Sequence, residues 1–145
     1  KGISNGQVMK KLNKILISLL ILGSFCTFFL LIFGKDLIIM FFQKDNFTSQ
    51  DSENVFLVLV MFSFQIPFYL LSITLVRFLT AFNLNTFNIV SSSCMVVLNV
   101  ICNYLFIDTY GVSGIALSTS IVVLFGFLIQ YVYVINKFKV NNQII

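Results

Sequence analysis

The chain alternates between long apolar runs and short clusters of charged residues. Charged residues bound four runs, each with an apolar part of about 20 residues, the length that crosses roughly 30 Å of hydrocarbon as a helix. We expect transmembrane helices at about 15–34, 55–76, 88–107 and 114–135. No Asp, Glu, Lys or Arg lies inside these segments, as expected from the cost of about 2.5–3.5 kcal/mol for an ion at the bilayer centre.

The pattern within the runs favours helices over strands. Strands of a membrane barrel alternate apolar and polar residues over about 10 positions, whereas a run such as VFLVLVMF (55–62) does not alternate. The composition is 59% apolar and 10% charged, against about 45–50% and 25% in soluble domains. Since a small soluble domain could not bury this much apolar surface, soluble enzymes and nucleic-acid binders are excluded. The predicted fold class is an all-α, polytopic bundle of four membrane-spanning helices in a single membrane segment, 1–145.

The distribution of Lys and Arg predicts the orientation of this bundle. One side of the membrane carries Lys1, Lys10, Lys11, Lys14, Arg77, Lys137 and Lys139. The other side carries Lys35 and Lys44, close to several acidic residues. Because Lys and Arg accumulate in cytoplasmic loops, we expect both ends of the chain to lie in the cytoplasm, with the chain in a cell (inner or plasma) membrane.

The connection between the first two spans carries two local signals. The segment LIIMFF (37–42) is too short to cross the membrane and is either the end of the first helix or an interfacial segment. Thr48 followed by Asp51 resembles a capping box that opens the second helix.

Polar residues follow one face of the third span. Asn85, Ser92 and Asn99 are seven residues apart, and Asn103 comes four residues later. At 100° per residue these four positions lie within about 40° of one another on a helix. Such a stripe either hydrogen-bonds a neighbouring helix, at about 0.6 kcal/mol per bond, or lines a hydrated cavity.

The second span contains a proline between two polar residues. Gln65 and Ser72 are seven residues apart, and Pro67 is the one proline of the chain. A proline inside a helix frees a carbonyl one turn earlier and bends the helix. Pro67 is therefore a hinge candidate or an ordinary kink, since kinks are common in membrane helices. Arg77 ends the span and is either an interfacial anchor or a contact for an anionic head group.

The fourth span begins with small residues at Gly111, Gly114 and Ser118. Small residues three and four positions apart allow close approach of backbones, so we expect a helix-packing face.

The sequence contains few residues that could form a catalytic or metal-binding site. There is no His, and the three cysteines are expected to be small buried hydrophobes rather than metal ligands: Cys26, Cys94 and Cys102. The spans hold no paired carboxylates, no nucleophile beside a base and no phosphate-binding glycine loop. We therefore expect neither an enzyme nor a cofactor or metal site.

Five segments match a set of known motifs in order and spacing. FFQKDNFTSQD (41–51) resembles LFxRGxFT, with Asp45 in place of the glycine, and QIPFYLLSITLVRFLTA (65–81) resembles GLPAxxLxxxLxRxFYA. NLNTFN (83–88) occupies the GDTKTP turn but lacks its aspartate and proline. VVLNVICNYLF (96–106) resembles xxLNxxLNxxL, and GVSGIALSTSI (111–121) matches GxxGLALATS almost throughout. These motifs belong to the MurJ/MviN family of lipid II flippases, which the chain resembles.

The resemblance implies a fragment of a 14-helix transporter, matching helices nine to twelve in the C-terminal lobe. The implied function is the flipping of a lipid-linked peptidoglycan precursor for the cell wall, with the lipid-linked sugar, the bilayer and the rest of the same chain as partners. Ser92, Asn99 and Asn103 would then line the transport cavity or bond neighbouring helices, and Gln65 and Arg77 are further candidates for contact with the substrate or the cavity. An O-antigen or capsular polysaccharide flippase, another exporter of the same superfamily, or a small structural four-helix membrane protein are the alternatives.

Overall fold

The computed structural model describes residues 5–43 and 47–140, and its elements are all α-helices. They are α1 (Asn5–Phe42), α2 (Ser49–Ser63), α3 (Gln65–Ala81), α4 (Asn85–Tyr110) and α5 (Val112–Val140). α2 and α3 follow each other in one span, Ser49–Ala81, so the described residues form four spans long and apolar enough to cross a membrane. The predicted all-α fold with four membrane-spanning helices is confirmed.

The helices extend beyond the apolar runs that predicted them. α1 has 38 residues and is about 57 Å long, so it continues past both ends of the span predicted at 15–34. LIIMFF is the end of α1 and not a separate segment. Lys1, Lys44 and Asp45, which entered the orientation and motif arguments, lie outside the described residues, and so does the side chain of Lys139.

The start of α2 is fixed by two local interactions. The capping box is confirmed: the Asp51 N–H donates to Thr48 Oγ1 at 3.2 Å, and the Thr48 N–H donates to Asp51 Oδ2 at 2.9 Å. In addition, Lys35 Nζ lies 3.1 Å from Glu53 Oε1. This ion pair joins α1, about two turns before its end, to the second turn of α2.

α5 is the central helix of the bundle. It packs against α4 on one side and against α2 and α3 on the other, while α1 covers the far side of α2 and α3. The outer faces of α1 and α4 expose many Ile, Val, Leu and Phe side chains, which suits contact with lipid. Cys26 and Cys94 lie exposed on these outer faces and Cys102 is half-buried, so the expectation that all three cysteines are buried is wrong.

An apolar core joins the start of α1 to the ends of α3 and α5. It consists of Leu12, Leu16, Leu71, Leu75, Leu79, Val134 and Phe138. Because these three helix ends meet, one end of the bundle gathers most of the described basic residues, namely Lys10, Lys11, Lys14, Arg77 and Lys137. The described acidic residues lie at the opposite helix ends, namely Asp36, Asp51, Glu53 and Asp108. The bundle therefore has one basic end and one mainly acidic end.

Candidate functional site

The second span is interrupted at Phe64, three residues before Pro67, the place where a proline bends a helix. Phe64 keeps helical dihedral angles (φ −64°, ψ −24°), so α2 and α3 meet in a kink and not in a loop. Pro67 has no N–H to donate to the carbonyl of Ser63, four residues earlier. We refer to residues 61–67 as the kink junction.

α1 contacts the kink junction directly. Thr27 Oγ1 donates to the Ser63 carbonyl at 2.8 Å, and both residues are buried. One turn earlier, Gly23 packs against the proline, since a Cβ at Gly23 would lie only 2.5 Å from Pro67 Cα. Neither α1 residue was a candidate from the sequence. The signal that could have found them is a small residue and a hydroxyl four positions apart on one helix face.

α5 contacts the same junction from the other side. Ser120 Oγ donates to the Met61 carbonyl at 2.6 Å and also lies 3.1 Å from the Ala116 carbonyl of its own helix. Ser120 is buried and was not singled out by the sequence. Two carbonyls of the kink junction, from Met61 and Ser63, are therefore hydrogen-bonded by hydroxyls of two other helices.

The two polar residues singled out on the second span, Gln65 and Ser72, have different environments in the structure. Ser72 is buried and its Oγ donates to Gln130 Oε1 on α5 at 2.9 Å. Gln65 is half-buried near the kink and does not join this pair. Gln130, which is 1% exposed, was not a candidate from the sequence, although a lone amide in an apolar span is itself a signal.

Half of the polar stripe on α4 faces α5. Asn103 Nδ2 donates to Asn99 Oδ1 at 3.0 Å, and Asn99 Nδ2 donates to Thr119 Oγ1 at 3.3 Å. Ser118 Oγ in turn donates to Asn103 Oδ1. These four side chains form one network between the two helices, the arrangement expected of interhelical bonding.

The other half of the stripe lies on the outside of the bundle. Asn85 and Ser92 are exposed. Ser92 and Asn99, with Met95, Val96 and Val100, line an open groove of about 360 Å³ along α4. Asn99 thus belongs to both the interhelical network and the wall of the groove.

The three small residues predicted as a packing face have different environments. A Cβ at Gly114 would collide with the carbonyl oxygen of Phe106, and Ser118 is fully buried. Gly111, in contrast to its predicted packing role, has no atom within 4 Å of the Cβ position. It forms the turn between α4 and α5 with a φ of 58°, and its N–H donates to the Ile107 carbonyl at 2.9 Å.

Arg77 lies exposed on α3, four residues before the helix ends at Ala81. No carboxylate among residues 5–43 and 47–138 forms an ion pair with it. The neighbouring end of α3 is joined to α4 by Asn88, whose Nδ2 donates to the Val76 carbonyl at 3.2 Å. The backbone beside Arg77 is therefore held to α4 by a hydrogen bond, while the guanidinium of Arg77 itself is exposed.

These features define a multi-pass α-helical membrane protein with a kinked span and polar networks between its helices. The family model described as lipid II flippase MurJ matches residues 3–145. The chain therefore belongs to the MurJ family of lipid II flippases, a family of transporters, and the resemblance found in its motifs is confirmed. Comparison with curated proteins and with solved structures gives no match.

Proposed function

We propose that the chain supplies helices nine to twelve of a 14-helix flippase that moves lipid II, a lipid-linked peptidoglycan precursor, across the cell membrane. The observation that carries this proposal is the match to the lipid II flippase family over residues 3–145. The same match favours it over an O-antigen or capsule flippase, another exporter of the superfamily, and a purely structural membrane protein.

A cavity is needed because the head group of a lipid-linked sugar is too polar to pass through hydrocarbon. A flippase encloses the head group in a hydrated cavity and exposes it to the two leaflets in turn. Four helices are too few to enclose such a cavity, so this chain contributes one wall. The exposed Ser92 and the groove that it shares with Asn99 support α4 as the cavity side, while Asn103 bonds α5.

Two further residues have roles in this mechanism. Pro67 allows the second span to bend as the cavity opens and closes. Arg77 contacts the anionic head group of the substrate, a role supported by its exposure at the basic end of the bundle and by its freedom from the described carboxylates.

We propose that the basic end of the bundle, where α1 begins and α5 ends, is cytoplasmic. The separation of basic and acidic residues between the two ends of the described helices supports this orientation.

The test uses the complete transporter that carries this segment. It is produced in a bacterium depleted of its own lipid II flippase, and two quantities are measured: growth, and the fraction of lipid II that an externally added lipid II-cleaving enzyme can reach. Both should recover on induction and not in the uninduced control. The proposal fails if the transporter is inserted at normal levels without either recovery, and especially if it restores O-antigen or capsule export to a strain lacking that flippase.

A further inference from the structure

The kink junction exposes a backbone carbonyl that its own helix cannot satisfy. Pro67 cannot donate to Ser63, and within a membrane there is no water to take the place of the missing donor. Thr27 supplies that donor from α1, at 2.8 Å. The hydrogen bond that an unbroken helix would make internally is here an interhelical bond.

This use of a threonine hydroxyl differs from that of a neighbouring threonine in the same bundle. Thr74 Oγ1 donates to the Leu70 carbonyl of its own helix at 2.8 Å, the usual arrangement for Ser and Thr in helices. Thr27 instead bonds a residue 36 positions away in the sequence. Its hydroxyl therefore links two helices, whereas that of Thr74 links none.

Close contact with α1 is built into the junction. Any side chain at Gly23 would collide with Pro67, because the Cβ would lie 2.5 Å from Pro67 Cα and 3.0 Å from Pro67 Cβ. Gly23 thus lets α1 approach the bent backbone closely enough for Thr27, one turn further on, to reach the Ser63 carbonyl. On the opposite side Ser120 holds the Met61 carbonyl from α5 at 2.6 Å.

We propose that Thr27 and Ser120 are positioning residues that fix the angle between α2 and α3. We call them the hydroxyl pair. Each bonds a carbonyl on the α2 side of the kink, so α2 cannot swing about Pro67 without breaking at least one of these bonds. The hydroxyl pair stabilises the bend described here against other angles, and its release accompanies movement of α2 during transport. This inference rests on the proposed function, because it assigns the pair to the transport cycle.

The test measures the bend itself in the complete transporter. All native cysteines of the transporter, Cys26, Cys94 and Cys102 among them, are replaced by alanine, and spin labels are attached to cysteines introduced at Val55 on α2 and Tyr69 on α3, both exposed. Fourteen residues of helix separate the two sites, a distance of about 21 Å, which pulsed electron paramagnetic resonance can measure. Flipping of lipid II is measured on the same proteins.

The expected result is specific to the interhelical hydroxyls. Thr27→Val keeps the side-chain shape, removes the hydroxyl, and should raise the population of a second α2–α3 distance about three- to tenfold, with a changed flipping rate. Ser120→Ala should act in the same direction. Thr27→Ser should resemble wild type, because it restores the donor. Thr74→Val is the matched control and should leave both the distances and the flipping rate unchanged.

The outcomes separate the two proposals. If Thr27→Val and Ser120→Ala give wild-type distances, the hydroxyl pair does not set the bend, whatever lipid the transporter moves. If the distances change as expected while the wild-type protein flips no lipid II, the hydroxyl pair stands as a determinant of the bend and the proposed function fails. Should Thr27→Val prove aggregated in gel filtration, Ser120→Ala compared with Thr74→Val decides the question.

Discussion

The hydroxyl of Ser72 on α3 donates to the side-chain carbonyl of Gln130 on α5 at 2.9 Å. Both residues are buried between the helices, and Gln130 is 1% exposed. Neither packed helices nor lipid can offer a substitute donor once the serine hydroxyl is gone. The pair is therefore a polar link whose two members depend on each other.

Removal of the Ser72 hydroxyl should destabilise the bundle. Ser72→Ala leaves Gln130 Oε1 without its donor and should lower the free energy of unfolding by about 1–2 kcal/mol. In a double-mutant cycle with Gln130→Leu, the coupling energy should be about 0.6–1.7 kcal/mol. Unfolding by denaturing detergent, followed by circular dichroism, measures these quantities.

Ser18→Ala is the control for this cycle, since the Ser18 hydroxyl bonds only the Lys14 carbonyl of its own helix, at 3.0 Å on an exposed surface. Its effect should stay within about 0.5 kcal/mol. Strict additivity of Ser72→Ala and Gln130→Leu would show that the two side chains do not stabilise each other.

The spans and the bend could be predicted from the sequence, because each rests on local physics. Helices follow from the length of uncharged segments, and the bend follows from the missing N–H of Pro67. The partners of the bend could not be predicted. Thr27 and Gly23 stand in an apolar run where small and hydroxyl residues are common, and only the packing of α1 on the kink reveals what they contact.

The same limit applies to the polar stripe on α4. The spacing correctly placed its four polar residues on a single helix, α4. Spacing alone does not show which part of the stripe another helix covers. α5 packs along the part that carries Asn99 and Asn103, whereas Ser92 and Asn85 stay exposed. Asn99 and Asn103 therefore form interhelical hydrogen bonds, while cavity lining is our proposal for Ser92 and the groove that it shares with Asn99.

Asn103 and Ser92 should affect the transporter in different ways. Asn103→Leu removes the interhelical acceptor of the fully buried Ser118 hydroxyl, which then keeps only the Ile115 carbonyl of its own helix, and should cost about 0.6–1.7 kcal/mol of stability. Ser92→Leu fills an exposed groove, should change stability by less than about 0.5 kcal/mol, and should reduce lipid II flipping several-fold. Detergent unfolding and the flipping assay are measured on both variants.

Ser93→Leu is the matched control for Ser92→Leu, because Ser93 is also exposed but borders a separate groove with Cys94, Val97 and Leu98. It should leave flipping unchanged. Wild-type flipping by Ser92→Leu would indicate that the groove faces lipid and that α4 does not line the cavity.

The two glycines near the start of α5 should both resist substitution, for different reasons. Gly114→Ala forces a Cβ against the carbonyl oxygen of Phe106 and should cost about 1–3 kcal/mol through overpacking. Gly111→Ala meets open space, but its φ of 58° should cost a similar amount, about 1–3 kcal/mol, through backbone strain. Val112→Ala, on an exposed neighbour, is the control. A neutral Gly114→Ala would mean that α4 and α5 separate readily at this point.

Substitutions of Arg77 should show whether this residue contacts a phosphate of the substrate or only anchors α3 at the membrane surface. A guanidinium binds phosphate oxygens through paired, fixed donors, whereas an ammonium is a single point charge. If Arg77 contacts the head group, Arg77→Ala should reduce flipping about tenfold and Arg77→Lys should recover only part of it. Lys137→Ala, at the same basic end, should have little effect. Full activity of Arg77→Ala would show that Arg77 makes no contact with the head group that transport needs.

The orientation of the bundle in the membrane can be measured by labelling introduced cysteines from outside the cell. Gln43, just after α1, lies at the mainly acidic end, and Asn85, at the start of α4, lies exposed at the basic end. If the basic end is cytoplasmic, a membrane-impermeant maleimide applied to intact cells should label Gln43→Cys and not Asn85→Cys in a protein without its native cysteines. Lysis should make both accessible, which checks that each cysteine reacts. Labelling of Asn85→Cys alone in intact cells would reverse the orientation, and the proposed cytoplasmic contact of Arg77 would then have to be abandoned.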